Sequence, residues 1–218
     1  MKITYLSHFI NEQTPLYGGE NAIKIEDRSK IIEGASSNTK FLQLPNHAGT
    51  HIDFPKHFSN SGKTINDYHA SSWKFTKVFV IKYIAKKNEI IDETVIDLNN
   101  IPFDTEFLCI YTGFSNKRTD KAYWNNNPGI APSFAKAIKT KCPNLRVIGF
   151  DFISLSSYQN RIIGRDAHKE FLLKYNILII EDMKLDKIHN KTINTIIALP
   201  FLIDNIDGAP ITVIAEYE

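Results

Sequence analysis

Cysteine is scarce in this chain: only Cys109 and Cys142 occur in 218 residues. Two cysteines cannot build a disulfide framework, and they suit a reducing compartment. Long apolar runs are missing too. No stretch approaches about 18 consecutive apolar residues, which excludes a membrane-spanning helix. The opening MKITYLSHFINEQ carries one lysine and no apolar core, so it does not read as a secretory signal. The expected location is the cytoplasm. Neither sign of charge dominates: 26 Lys and Arg face 24 Asp and Glu, well mixed, for a net charge of +2. That leaves no electrostatic footprint for nucleic acid or an anionic membrane. Linkers of low complexity and internal repeats are also lacking, so residues 1–218 are expected to form a single domain. Two enzyme signatures are absent as well. No G-x-S-x-G elbow occurs, and LYGGE lacks the Lys-Ser/Thr partner of a phosphate loop.

What is present is a soluble globular pattern, 43% hydrophobic and 23% charged. KFTKVFVIKYIA (74–85) partly alternates and reads as a strand. EFLCIYTGF (106–114), LRVIGFDFIS (145–154) and ILIIEDM (177–183) read as further strands, the first and last of them buried. Between them, APSFAKAIKTKCP (131–143) has helical spacing with Pro143 as its stop. RDAHKEFLLKYN (165–176) reads as a helix with Asp166 as its N-cap. Strand, helix, strand, helix, strand over 106–183 predicts an α/β fold with a partly parallel sheet. TIIALPFLI (195–203) and APITVIAEY (209–217) add two strands around the turn IDGAP. In such sheets chemistry gathers at strand ends.

The stretch NHAGTHIDFPKHF (46–58) stands out, because three of the seven histidines fall within it. Buried imidazoles are costly unless bonded. Imidazole and carboxylate together suit Zn²⁺, Mn²⁺ or Fe²⁺. In an extended THID, His51 and Asp53 face the same way. Gly49 permits a tight turn that swings His47 back to that face. Three ligands leave a coordination position open, the arrangement of a catalytic site. His57, beyond the stiff Pro55, remains free as an acid or base, or else supports the site without reacting. Asp53 can bridge a second ion. Glu181 ends an apolar run and needs a cation or several donors. His168, in the preceding helix, can reach the same end of the sheet, although taken alone it reads as a surface residue. His8 reads as a pocket or packed residue, and His69 and His189 as surface or loop residues.

These residues resemble the cyclase-like metal-dependent hydrolases, a family that includes bacterial kynurenine formamidases. The family pattern H-x-G-T-H-x-D-x-P-x-H is complete from His47 to His57. Leu6-Ser7-His8, TPLYGG (14–19), Thr112-Gly113-Phe114, Gly149-x-Asp151-x-x-Ser154 and His168 through Glu181 match further elements in order, as does the tail DGAPITVIA. The resemblance implies that His47, His51 and Asp53 bind a first metal. It implies that Asp53, His168 and Glu181 bind a second, and that His57 is the catalytic acid/base. It further implies a central mixed β-sheet with an additional small sheet and flanking helices, one to two Zn or Mn ions per chain, and a homodimer. The implied substrate is a small-molecule amide, with N-formylkynurenine the first choice. A lactam, lactone or ester of the isatin hydrolase type is the alternative. A non-catalytic metal- or ligand-binding module is the third possibility, against which the intact His57 argues.

Overall fold

The computed structural model describes residues 1–218. Nine strands make the main sheet: β1 (Lys2–Tyr5), β2 (His51–Asp53), β3 (Lys74–Phe75), β4 (Val78–Lys82), β5 (Phe107–Tyr111), β6 (Val147–Phe150), β7 (Leu178–Glu181), β8 (Ile193–Pro200) and β9 (Gly208–Tyr217). Their order is β3-β8-β9-β2-β7-β6-β5-β4, with β1 added to β9. β4 to β7 run parallel to one another and the remaining pairings are antiparallel. The sheet is therefore mixed, as expected from the alternation over 106–183. Two small ribbons lie apart, Lys24–Ser29 with Thr39–Gln43 and Ile90–Ile91 with Gly129–Ile130.

The run 74–85 is not one strand. Lys74–Phe75 pairs with β8 at one end of the sheet, and Val78–Lys82 pairs with β5 at the other. Only Thr76 and Lys77 separate the two, so the sheet curls most of the way to a barrel. A continuous strand cannot serve both edges of a curled sheet, hence the break.

The crossovers carry α1 (Ala122–Asn125), α2 (Pro132–Lys141) and α3 (Arg161–Lys169). Phe134, Ile138, Phe171 and Leu172 on the helical side join Phe107, Ile110, Phe150 and Ile179 of the strands in one apolar core. α3 starts four residues earlier than the sequence suggests, at Arg161. Asp166 thus lies inside the helix and caps nothing; the short helical turn Tyr158–Asn160 leads the chain directly into α3. Past Lys169 the helix widens into a π-turn over Glu170–Lys174.

Three of the matched sequence elements brace the fold. Asp151 accepts hydrogen bonds from the backbone N–H groups of Thr112 and Gly113 and from the Thr112 hydroxyl, at 2.6–2.9 Å. Ser7 bridges to β9, donating to Ile211 O at 2.8 Å and accepting from Val213 N at 2.9 Å.

Gly164 lets α3 touch the loop after β6, since a Cβ there would lie 2.5 Å from Ser156 Cα. Gly164→Ala is expected to lower stability by roughly 1–3 kcal/mol through overpacking. Denaturant unfolding checks this, and an unchanged midpoint would show that the helix can retreat freely.

Candidate metal centre

β2 is three residues long, and all three are buried. Alternation puts His51 and Asp53 on one face and Ile52 on the other. On one flank β7 sets Glu181 opposite His51. On the other, β9 sets Gly208 opposite Asp53. Opposed residues of an antiparallel pair share a face, so two carboxylates and an imidazole meet mid-sheet. His47 returns to that face over Gly49, whose φ of +65° lies in the left-handed region. Its ring rests on Gly208, where any Cβ would strike it. α3 delivers His168 from the side. His57 stands at the rim, in the short helical turn Pro55–His57. All six side chains singled out in the sequence, His47, His51, Asp53, His57, His168 and Glu181, line one cavity of about 340 Å³.

Two histidines have fixed tautomers. His51 donates from Nδ1 to Gly49 O at 2.8 Å, and His168 donates from Nδ1 to Gly164 O at 2.8 Å. Each then turns Nε2 toward carboxylates. His51 Nε2 lies 3.2 Å from Glu181 and 3.6 Å from Asp53; His168 Nε2 lies 3.4 Å and 3.5 Å from the same two residues. His47 Nδ1 is 2.9 Å from Asp53 Oδ1, yet that buried oxygen has no hydrogen bond. Imidazole nitrogens and carboxylate oxygens thus converge at ion-pair distance. This is the donor set of a borderline divalent cation, and the residues fit one. Two compact groups share Asp53: His47, Asp53 and His57, and His51, Asp53 and Glu181. His168 adjoins the second group.

Several contributors had no role that the sequence could assign. Asp207, in the turn IDGAP, accepts at Oδ2 from His57 Nδ1 at 2.8 Å and His47 Nε2 at 3.1 Å. Ser154 and the Leu155 N–H hold Glu181 Oε1 at 3.2 and 2.7 Å. Asp182, next to Glu181, adopts φ +52° and forms a bidentate pair with Arg118, at 2.9 and 2.7 Å. Tyr123 bonds the same carboxylate. The Thr50 hydroxyl donates to the Asp182 carbonyl at 2.6 Å, locking β2 to β7 from behind. His8 lies 3.9 Å from Asp182, outside the cavity lining. His69 accepts from Ser71 N in a surface turn, and His189 stacks on Tyr111.

Electrostatics follow from burial. Burial opposes charge on His47 and His168, but carboxylates at bonding distance prevail and push both up to about 10. Burial likewise opposes charge on Asp53 and Glu181. The facing histidines prevail there too and hold both below the ordinary carboxylate range.

Comparison with known proteins identifies the family and the fold. A family model described as "Putative cyclase" matches residues 4–157. A kynurenine formamidase of Geobacillus thermodenitrificans is 29% identical over 206 residues, covering 94% of this chain and 93% of that protein. Isatin hydrolase A from Labrenzia aggregata, solved with benzyl benzoate, superposes with a TM-score of 0.82 at 20% identity, covering 98% of this chain and 93% of that one. A structure described as a potential metal-dependent hydrolase with cyclase activity gives 0.74 at 22% identity, over 98% of this chain and 96% of that one. Likeness at such identity shows the fold.

The metal-free protein should betray the site by its pH dependence. His47 and His168 rise from 6.5 to about 10 on folding. Their contribution is complete below pH 6.5 and is lost as pH climbs toward 10. Asp53 and Glu181 fall below 3.8 and 4.5, so their contribution is present above those values and lost in acid. A divalent ion replaces the imidazole protons. Melting temperatures with Zn²⁺ or Mn²⁺ and with chelator should therefore diverge as pH rises above 6.5. A gap that stays constant with pH would contradict this account.

Proposed function

The chain belongs to the putative cyclase family, and from that premise we propose that it hydrolyses a small amide at a centre of one or two Zn or Mn ions. An aryl formamide is the preferred substrate class and N-formylkynurenine its first member. The observation that carries this reading is the placement of His57 and Asp207 beside the buried His/Asp/Glu set. Relatives named kynurenine formamidase, similar along nearly the whole chain, support the substrate class.

In this reading His47, His51, Asp53, His168 and Glu181 hold the metal, with Asp53 shared between the two groups. A divalent ion so held supplies Lewis acidity for an attacked carbonyl and lowers the pKa of water from about 15.7 toward about 7. The protein provides the rest. His57 donates its Nδ1 proton to Asp207, so Nε2 is the atom left to take a proton from water. The same atom returns it to the departing nitrogen. An arylamine leaves more readily than an alkylamine, so one imidazole acid suffices. Asp207 also accepts from His47 Nε2, which leaves His47 Nδ1 free to face Asp53. One carboxylate oxygen therefore sets the tautomers of two histidines, the orienting role an aspartate plays beside a catalytic histidine. Isatin hydrolase folds support a second reading, opening of a cyclic amide, which uses the same groups.

We place the protein in the cytoplasm, in keeping with its two free buried cysteines. We also infer a homodimer. Ile3, Tyr5, Phe9, Phe201 and Leu202 remain exposed and give an assembly apolar surface to cover.

Turnover of N-formylkynurenine and isatin by metal-loaded and chelated protein tests the proposal, and full activity in chelator would sink it. His57→Ala is expected to keep metal and melting temperature while kcat falls by roughly 10²–10⁴. Loss of metal from that variant would make His57 a ligand instead, as its distance to His47 and Asp53 allows. Asp53→Asn should lower activity more than His168→Ala, because Asp53 belongs to both groups. Equal activity of Asp53→Asn and the parent protein would remove the shared role.

A further inference from the structure

The mouth of the cavity carries two cations with no acidic partner. Arg161, Arg165 and His168 stand at i, i+4 and i+7 of α3 and its entry, so they share one helix face. All three line the same cavity. His168 is buried at its inner end, while Arg161 and Arg165 are exposed at the rim. Arg118 and Arg146 each pair with a carboxylate. Arg161 and Arg165 pair with none, and the nearby Asp166 faces Lys169 instead.

Arg161 is nevertheless held in place. Its guanidinium lies 4.0 Å from the centre of the Tyr158 ring and 5.9 Å from that of Tyr17. The two rings meet edge to face at 5.4 Å. Such cation–π seating orients a guanidinium while leaving its N–H groups free. The Tyr17 hydroxyl, buried in the same cavity lining, has no hydrogen-bond partner. An orphaned buried hydroxyl calls for a ligand. Guanidinium pairs favour planar, two-oxygen anions. Seven residues of helix place Arg161 about 10 Å from His168 along the axis, room for an aryl ring and a short chain.

We propose that Arg161 and Arg165, with the Tyr17 hydroxyl, form a carboxylate subsite that makes this enzyme select amides bearing a carboxylate several bonds from the scissile group over neutral amides. This rests on the hydrolase reading above and specifies its substrate class. N-formylkynurenine meets the requirement; formanilide and isatin do not.

The experiment compares the parent protein with Arg161→Gln, Arg165→Gln and the double variant, each shown to hold equal metal and to melt at the same temperature. The kcat/KM ratio for N-formylkynurenine over formanilide should fall about tenfold for each single change, the effect of losing one charge-assisted hydrogen bond. The double variant should lose more, chiefly through KM. Arg161→Lys should recover only part, because an ammonium cannot present a planar fork. Calorimetric titration with kynurenine and with 2-aminoacetophenone, which lacks the carboxylate-bearing chain, supplies a readout independent of turnover. Kynurenine should bind the parent protein at least tenfold more tightly than the double variant, and 2-aminoacetophenone should show no such difference. An unchanged substrate ratio or equal kynurenine binding would overturn the subsite. If the metal-loaded parent turns over neither substrate, the hydrolase reading fails, and the kynurenine titration still decides whether the arginines bind a carboxylate.

Discussion

Two carboxylates, Asp53 and Glu181, are buried side by side in the middle of a sheet, and much of the molecule is arranged around that cost. Neither can remain charged there without compensation. Three imidazoles provide part of it, and a cation would provide the remainder. The fixtures around them share one purpose. Backbone carbonyls fix the tautomers of His51 and His168. Ser154 and the Leu155 N–H hold one Glu181 oxygen. Behind the strand end, Asp182 accepts a strained left-handed conformation in order to meet Arg118 and Tyr123.

The topology explains how residues so far apart in the chain meet. β2 is too short to be stable alone, and it survives because β7 and β9 pair with it on both edges. β9 brings Gly208, whose missing side chain makes room for His47, and its preceding residue Asp207 reaches both His47 and His57. The turn before β9 thus shapes the centre as much as the histidine-rich stretch does. The near closure of the sheet, with β3 and β4 at its opposite ends, supports β2 from all sides without a large domain.

α3 divides the labour. Its inner end gives His168 to the buried set, and its outer end presents arginines to solvent. The buried part of the cavity gathers the imidazoles and carboxylates, and the rim carries the cations that have no acidic partner.

Some of this was determined by the sequence alone. The period of the apolar residues from 106 to 183 required alternating strands and helices, because burial patterns are local and repeat with the backbone. The spacing from His47 to His57 marked a metal-competent cluster, because residues two apart in a strand share a face whatever surrounds them. Other features were settled only in three dimensions. The split of 74–85 depends on which neighbour each half finds. The true start of α3 depends on the turn that feeds it, so Asp166 could not act as its cap. Asp207 lies 150 residues from His57, and no local pattern distinguishes it from any acidic turn residue. Arg161 looks like an ordinary surface cation until the tyrosine rings that seat it at the cavity are seen. Spacing along the chain determines which side chains share a face; only the closing of the sheet decides which faces meet, because that depends on contacts between residues the chain order leaves far apart.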